Sequence, residues 1–146
     1  MLLSKINVLD KGYVGLLSTG CTGKTIKAIE DLYFKATINS TGNIELAGLE
    51  SKSLTVEIQS NGDVNIGKGV IGDQTVTISS SGNYKSPDLK SQKANVSIDS
   101  SGNAVIWVTD SLDVVINSSG SVQYYGSPEV KSKINSSGSV QPLGQK

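Results

Sequence analysis

The chain has 146 residues, 13 basic and 13 acidic side chains that cancel, no histidine and a single cysteine. That balance removes the basic footprint of nucleic-acid binding. Without histidine, Ser-His-Asp and Cys-His catalysis and histidine metal sites are excluded, and Cys21 alone cannot form an internal disulfide.

Residues 1–11 read as an N-terminal arm or cap. Ile6 and Val8 alternate with polar neighbours, as a short strand covering the first rung of a repeat stack would. The stretch lacks the apolar region and cleavage site of a signal peptide, and no run of about 18 apolar residues spans a membrane.

From residue 12 to 146 the chain reads as one domain, beginning with an atypical first coil at 12–37. Ser18 to Thr25 looks like a phosphate-binding loop, but Ser18 stands where its first glycine belongs and no βαβ unit surrounds it. Ser18-Thr19-Gly20 fits better as a degenerate first copy of the turn repeated downstream. Ile26, Ile29, Leu32 and Tyr33 recur at helical spacing, which predicts a short helix within 24–34.

The regular coils occupy 38–133. Ile38-Asn39-Ser40-Thr41-Gly42 recurs from Ile58, Ile78, Ile98, Ile116 and Ile134; counted from Leu16, the intervals are 22, 20, 20, 20, 18 and 18 residues. A period near 20 predicts a parallel β-helix of six to seven rungs, with coils of 18–22 residues. Apolar residues at the second and fourth positions before each isoleucine give a strand with one buried face. The glycine then turns the chain by accepting positive φ, at Gly20, Gly42, Gly62, Gly82, Gly102, Gly120 and Gly138. A second short strand and a less regular third segment complete each coil.

Stacking like on like places Leu16, Ile38, Ile58, Ile78, Ile98, Ile116 and Ile134 in one inner column. Outside it, Asn39, Gln59, Ser79, Asp99, Asn117 and Asn135 form a polar ladder whose amides bond along the stack. Residues 134–146 make a C-terminal cap, where Pro142 suits an unpaired edge.

The surface candidates for binding are Trp107 and Tyr125, on the outward parity, with Asn117 and Asn135 of the ladder; Tyr84 and Tyr124 point inward. Asp99, Asp110 and Asp113 lie among polar surface positions without an aromatic or arginine cluster, so they read as solvated residues. Asn61-Gly62-Asp63 and Gly72-Asp73 lack the nonapeptide rhythm of calcium β-rolls. No catalytic residue, metal ligand or cofactor is assigned.

The late chain reads Gly120-Ser121-Val122-Gln123-Tyr124-Tyr125-Gly126-Ser127-Pro128-Glu129-Val130, then Ser136-Ser137-Gly138-Ser139-Val140. This resembles the head GIN domain family of auto-transporter adhesins, over roughly 34–144. The resemblance implies an exported β-helical domain without catalytic residues. Val8 to Val14 is similar to the opening of flavin-dependent thymidylate synthases, whose Arg-His-Arg signature this chain cannot carry.

The expectation that follows is a non-enzymatic structural or adhesive solenoid. With no export signal, it reads first as a bacteriophage virion component made in the host cytoplasm: a capsid decoration, spike or fibre module that forms a homo-oligomer and contacts capsid or tail proteins. The alternative is an extracellular or cell-surface adhesin-like module that binds glycan or protein. A polysaccharide-acting β-helix enzyme ranks last, because it borrows only a fold analogy. Neither nucleic acid nor a membrane span is expected.

Overall fold

A computed structural model describes residues 4–9, 13–18, 33–38 and 41–146. The alternation read above becomes burial: the strand through Thr75, Val76, Thr77 and Ile78 shows Val76 and Ile78 inside and the threonines facing out. The strands are β1 (Ser4–Leu9), β2 (Tyr13–Ser18), β3 (Tyr33–Ile38), β4 (Ile44–Ile58), β5 (Val64–Ile78), β6 (Asn83–Ile98), β7 (Asn103–Ile116), β8 (Ser121–Tyr125), β9 (Glu129–Ile134) and β10 (Ser139–Gly144). They form one sheet in sequence order, with β10 on β8 and β9 on β7. From β2 onward every pairing is parallel, which winds the chain into a β-solenoid of about five turns. The exception is the hairpin β1–β2, antiparallel with Ile6 opposite Leu16. It lays β1 along the first parallel strand.

Ile58, Ile78, Ile98, Ile116 and Ile134 are register partners one winding apart, and Ile38 stands opposite Ile58. The first five of this column, Ile38 to Ile116, are wholly buried, whereas Ile134 is 39% exposed because no described strand follows it. At the other end the register departs from the expected one. Leu16 faces Ala36, and Ser18 takes the place opposite Ile38. The column therefore starts at Ser18, because β2, β3 and β4 share one uninterrupted 20-residue ladder. Gly20 and most of the stretch expected as a helix lie outside the described residues; Tyr33 and Phe34, at its end, stand in β3.

Two further expectations are revised. The sequence separates the second strand, the connecting segment and the next copy's strand. They run together in β4 to β7, which are 14 to 16 residues long. Parallel backbone bonding continues around the corners, so these coils are broken at their Ser-Gly turns, while the last one is broken again at 126–128, between β8 and β9. The turn glycines from Gly42 to Gly138 are also absent from the positive-φ glycines of the described residues, which are Gly69, Gly126 and Gly144. Glycine is needed for space instead: a Cβ on Gly82 would lie 2.3 Å from the Gly62 carbonyl oxygen and 2.4 Å from Ile58 Cγ2. Gly62, Gly82, Gly102, Gly120 and Gly138 each sit over the isoleucine of the winding before.

The step from 20 to 18 residues is local. Lys85 still faces Val105 at 20, Lys90 faces Trp107 at 17, and from Lys93 opposite Ser111 the offset is 18. Three residues are lost near Pro87 and one is regained near Thr109, so the coils do not taper gradually.

Polar atoms also cross the core. Gln74 replaces the leucines of its column, Leu54 and Leu112, and Ser91 replaces Ile71 and Val108. The Tyr84 hydroxyl donates to Gln74 Oε1 at 3.0 Å, Gln74 Nε2 donates to Ser91 Oγ at 2.7 Å, and Ser91 donates to the Trp107 carbonyl at 2.8 Å. All three side chains are buried. In an apolar interior such a chain is favourable only when every member is satisfied. Burial pushes the Tyr84 phenol well above its ordinary range, with a weaker opposing contribution from Ser86.

Candidate functional site

Parallel stacking converts one outward position per coil into a column along the rod. The column on the connecting segment reads Glu50, Val70, Lys90, Trp107, Tyr125, each the register partner of the next. Trp107 and Tyr125, singled out from sequence, therefore stand on neighbouring rungs. Val70, 59% exposed, and the lysine stem of Lys90 extend the apolar strip upward. Lys90 Nζ lies 5.8 Å from the Trp107 ring centroid, and Lys146 Nζ lies 4.6 Å from that of Tyr125. Both distances are within cation–π range. Lys146 also pairs with Asp88, and Gln145 donates to Ser127. The last two residues thus lie across the lower half of the strip.

Asn117 and Asn135 belong to a different corner, at the Ser-Gly turn. Asn117 Nδ2 donates to Asp99 Oδ1 at 2.6 Å, and Asn135 Nδ2 donates to Asn117 Oδ1 at 2.6 Å. A second ladder on the other side of the turn escaped the sequence reading. The Asp63 amide donates to Asn43 Oδ1 at 2.9 Å, Asn83 Nδ2 to Asp63 Oδ1 at 2.9 Å, Asn103 Nδ2 to Asn83 Oδ1 at 3.0 Å, and Ser121 Oγ to Asn103 Oδ1 at 2.6 Å. Its signal was the residue after each turn glycine, which is Asn43, Asp63, Asn83 and Asn103 at a strict interval of 20. These amides are engaged with one another, so the turn corner is tied together along the rod.

The carboxylates do not gather. Asp99 accepts from the ladder, Asp110 accepts from Thr109 at 2.7 Å, and Asp113 stands on a flat face beside Val115 and Lys131. Among the described residues, no group of three or more His, Cys, Asp or Glu is placed to hold a metal ion, and no helix is long and apolar enough to cross a membrane. A groove of about 430 Å³ is lined by Glu45, Leu46, Asn65, Ile66 and Lys85. It holds no paired acid and base. Cys21 and most of the stretch resembling a phosphate loop lie outside the described residues.

The model of the family described as "Putative auto-transporter adhesin, head GIN domain" matches residues 16–128, well over half of the chain. The chain belongs to the head GIN domain family. The match begins earlier than the resemblance carried by the late repeats and stops before the last turn copy. No match was found to a curated protein or to a solved structure. The head GIN domain seen here is a solenoid whose half-buried aromatic strip and cross-linked turn corner occupy different parts of the coil.

Proposed function

We propose that this head GIN domain is a non-catalytic adhesive module that works at a cell surface or outside the cell, gripping glycan or protein through the Trp107–Tyr125 strip. The observation that carries this reading is the register that puts Trp107 and Tyr125 side by side on an outward face of a rigid stack. Aromatic side chains offer a large contact area with few rotors to immobilise. The family match supports the adhesive role over that of a virion component.

The test is adhesion to cells and to glycan and protein arrays by the wild type and by Trp107→Ala. The variant should keep its unfolding transition and lose most of the binding. Adhesion that persists undiminished in a folded Trp107→Ala protein would remove the strip from the reading.

A further inference from the structure

The strip is long in one direction only, and that shape restricts what it can hold. Successive rungs lie about 4.8 Å apart, so Val70 to Tyr125 extends roughly 14 Å along the rod. Outward columns two residues away on either side stand about 6.7 Å off, which leaves a lane about 13 Å wide. Those flanking columns are mostly polar, with Asp88 and Gln123 on one side and Gln92 and Thr109 on the other. The lane offers roughly 190 Å² by these spacings. A stable protein interface uses about 800 Å² per partner. Charges on and beside the strip also balance, Lys68, Lys90 and Lys146 against Glu50, Asp88 and Asp110, with Lys146 paired to Asp88.

From this we infer that the ligand is a single linear, uncharged polysaccharide chain lying parallel to the solenoid axis, with successive sugar rings stacked on Val70, Lys90, Trp107 and Tyr125. The inference rests on the strip being the adhesive contact. A sugar ring has an apolar face that suits an aromatic or aliphatic platform, and rim hydroxyls that suit amide, hydroxyl and carboxylate neighbours. A narrow lane with polar borders meets both requirements. Because the platform repeats once per rung, each further ring finds another contact without rearrangement of the protein. Lys146, bound to Asp88 across Tyr125, has to swing aside for the lowest ring.

The experiment is calorimetric titration of the full chain with β-1,4-linked glucose and N-acetylglucosamine oligomers, from the single sugar to the hexamer. Affinity should rise with length and level off near the tetramer, about tenfold or more above the single sugar. Val70→Asp, on an exposed position, should remove that gain for long chains and leave the shortest ones unchanged. A hexamer that binds within about twofold of the single sugar, or a Val70→Asp protein with full affinity for it, overturns the axial placement. Blank titrations from a protein that still adheres through Trp107 overturn the glycan assignment and leave the adhesive reading standing. Blank titrations together with adhesion indifferent to Trp107→Ala overturn both.

Discussion

Gly82 lies against Ile58 so closely that a β-carbon on the glycine would stand 2.4 Å from the isoleucine Cγ2. Gly102 meets Ile78, Gly120 meets Ile98 and Gly138 meets Ile116 in the same way. The isoleucine column and the glycine row are two halves of one packing unit repeated along the rod.

Gly82→Ala should therefore be among the most damaging single changes in the chain. The added carbon also meets the Gly62 carbonyl, which is backbone and cannot rotate away. Overpacking of this kind costs about 3 kcal/mol. Urea denaturation checks it, and an unchanged midpoint would show that the turn can open without penalty.

Ile78→Ala should cost about 3–4 kcal/mol, as buried large-to-small changes do. Ile134→Ala should cost about 1 kcal/mol, because Ile134 is 39% exposed and covered on one side only. Equal losses at the two sites would contradict the one-sided cover of Ile134.

The Tyr84–Gln74–Ser91 chain makes a prediction about non-additivity. Gln74→Leu restores the leucine of its column but strands the Tyr84 hydroxyl, at a cost of about 2 kcal/mol. Tyr84→Phe leaves Gln74 Oε1 without its donor and should cost about 1 kcal/mol. The double variant should lose clearly less than the two changes added together, because no polar atom of that pair remains buried. Additive losses in a double-mutant cycle would mean that the bond at 3.0 Å contributes nothing.

Alkaline pH should weaken the fold through Tyr84. Burial raises the phenol above its value in the unfolded chain, so over that window the folded state holds a proton that the unfolded state has released. The contribution is fully present below about pH 10 and is lost as the pH climbs beyond it. Tyr84→Phe should flatten the fall in denaturation midpoint between neutral pH and about pH 11. Identical slopes for the two proteins would dismiss Tyr84 as the titrating group.

Lys146→Ala should barely change stability, since an exposed ion pair contributes about 0–1 kcal/mol. It should nonetheless tighten oligosaccharide binding, because it uncovers the Tyr125 ring. Weaker binding would make Lys146 part of the contact rather than its cover.

The sequence alone determined that this is a repeat stack of β-strands, because period-two alternation and a return near 20 residues are local properties that any reader of the chain can count. It also put Trp107 and Tyr125 on the outward parity, but the strand register set them on neighbouring rungs of one column. Nor did the sequence place Val70 and Lys90 above them. The coil between Lys85 and Ser111 loses three residues and regains one, so the partner of Trp107 sits 17 positions away and no periodic count reaches it. The place of Ser18 in the column was hidden for a related reason: the backbone ladder between β2 and β3 sets that register, and the turn motif does not. The demand for glycine at the turns had the same source. It comes from a neighbouring winding 24 residues earlier for Gly82 and Ile58, a steric contact that exists only once the coils are stacked.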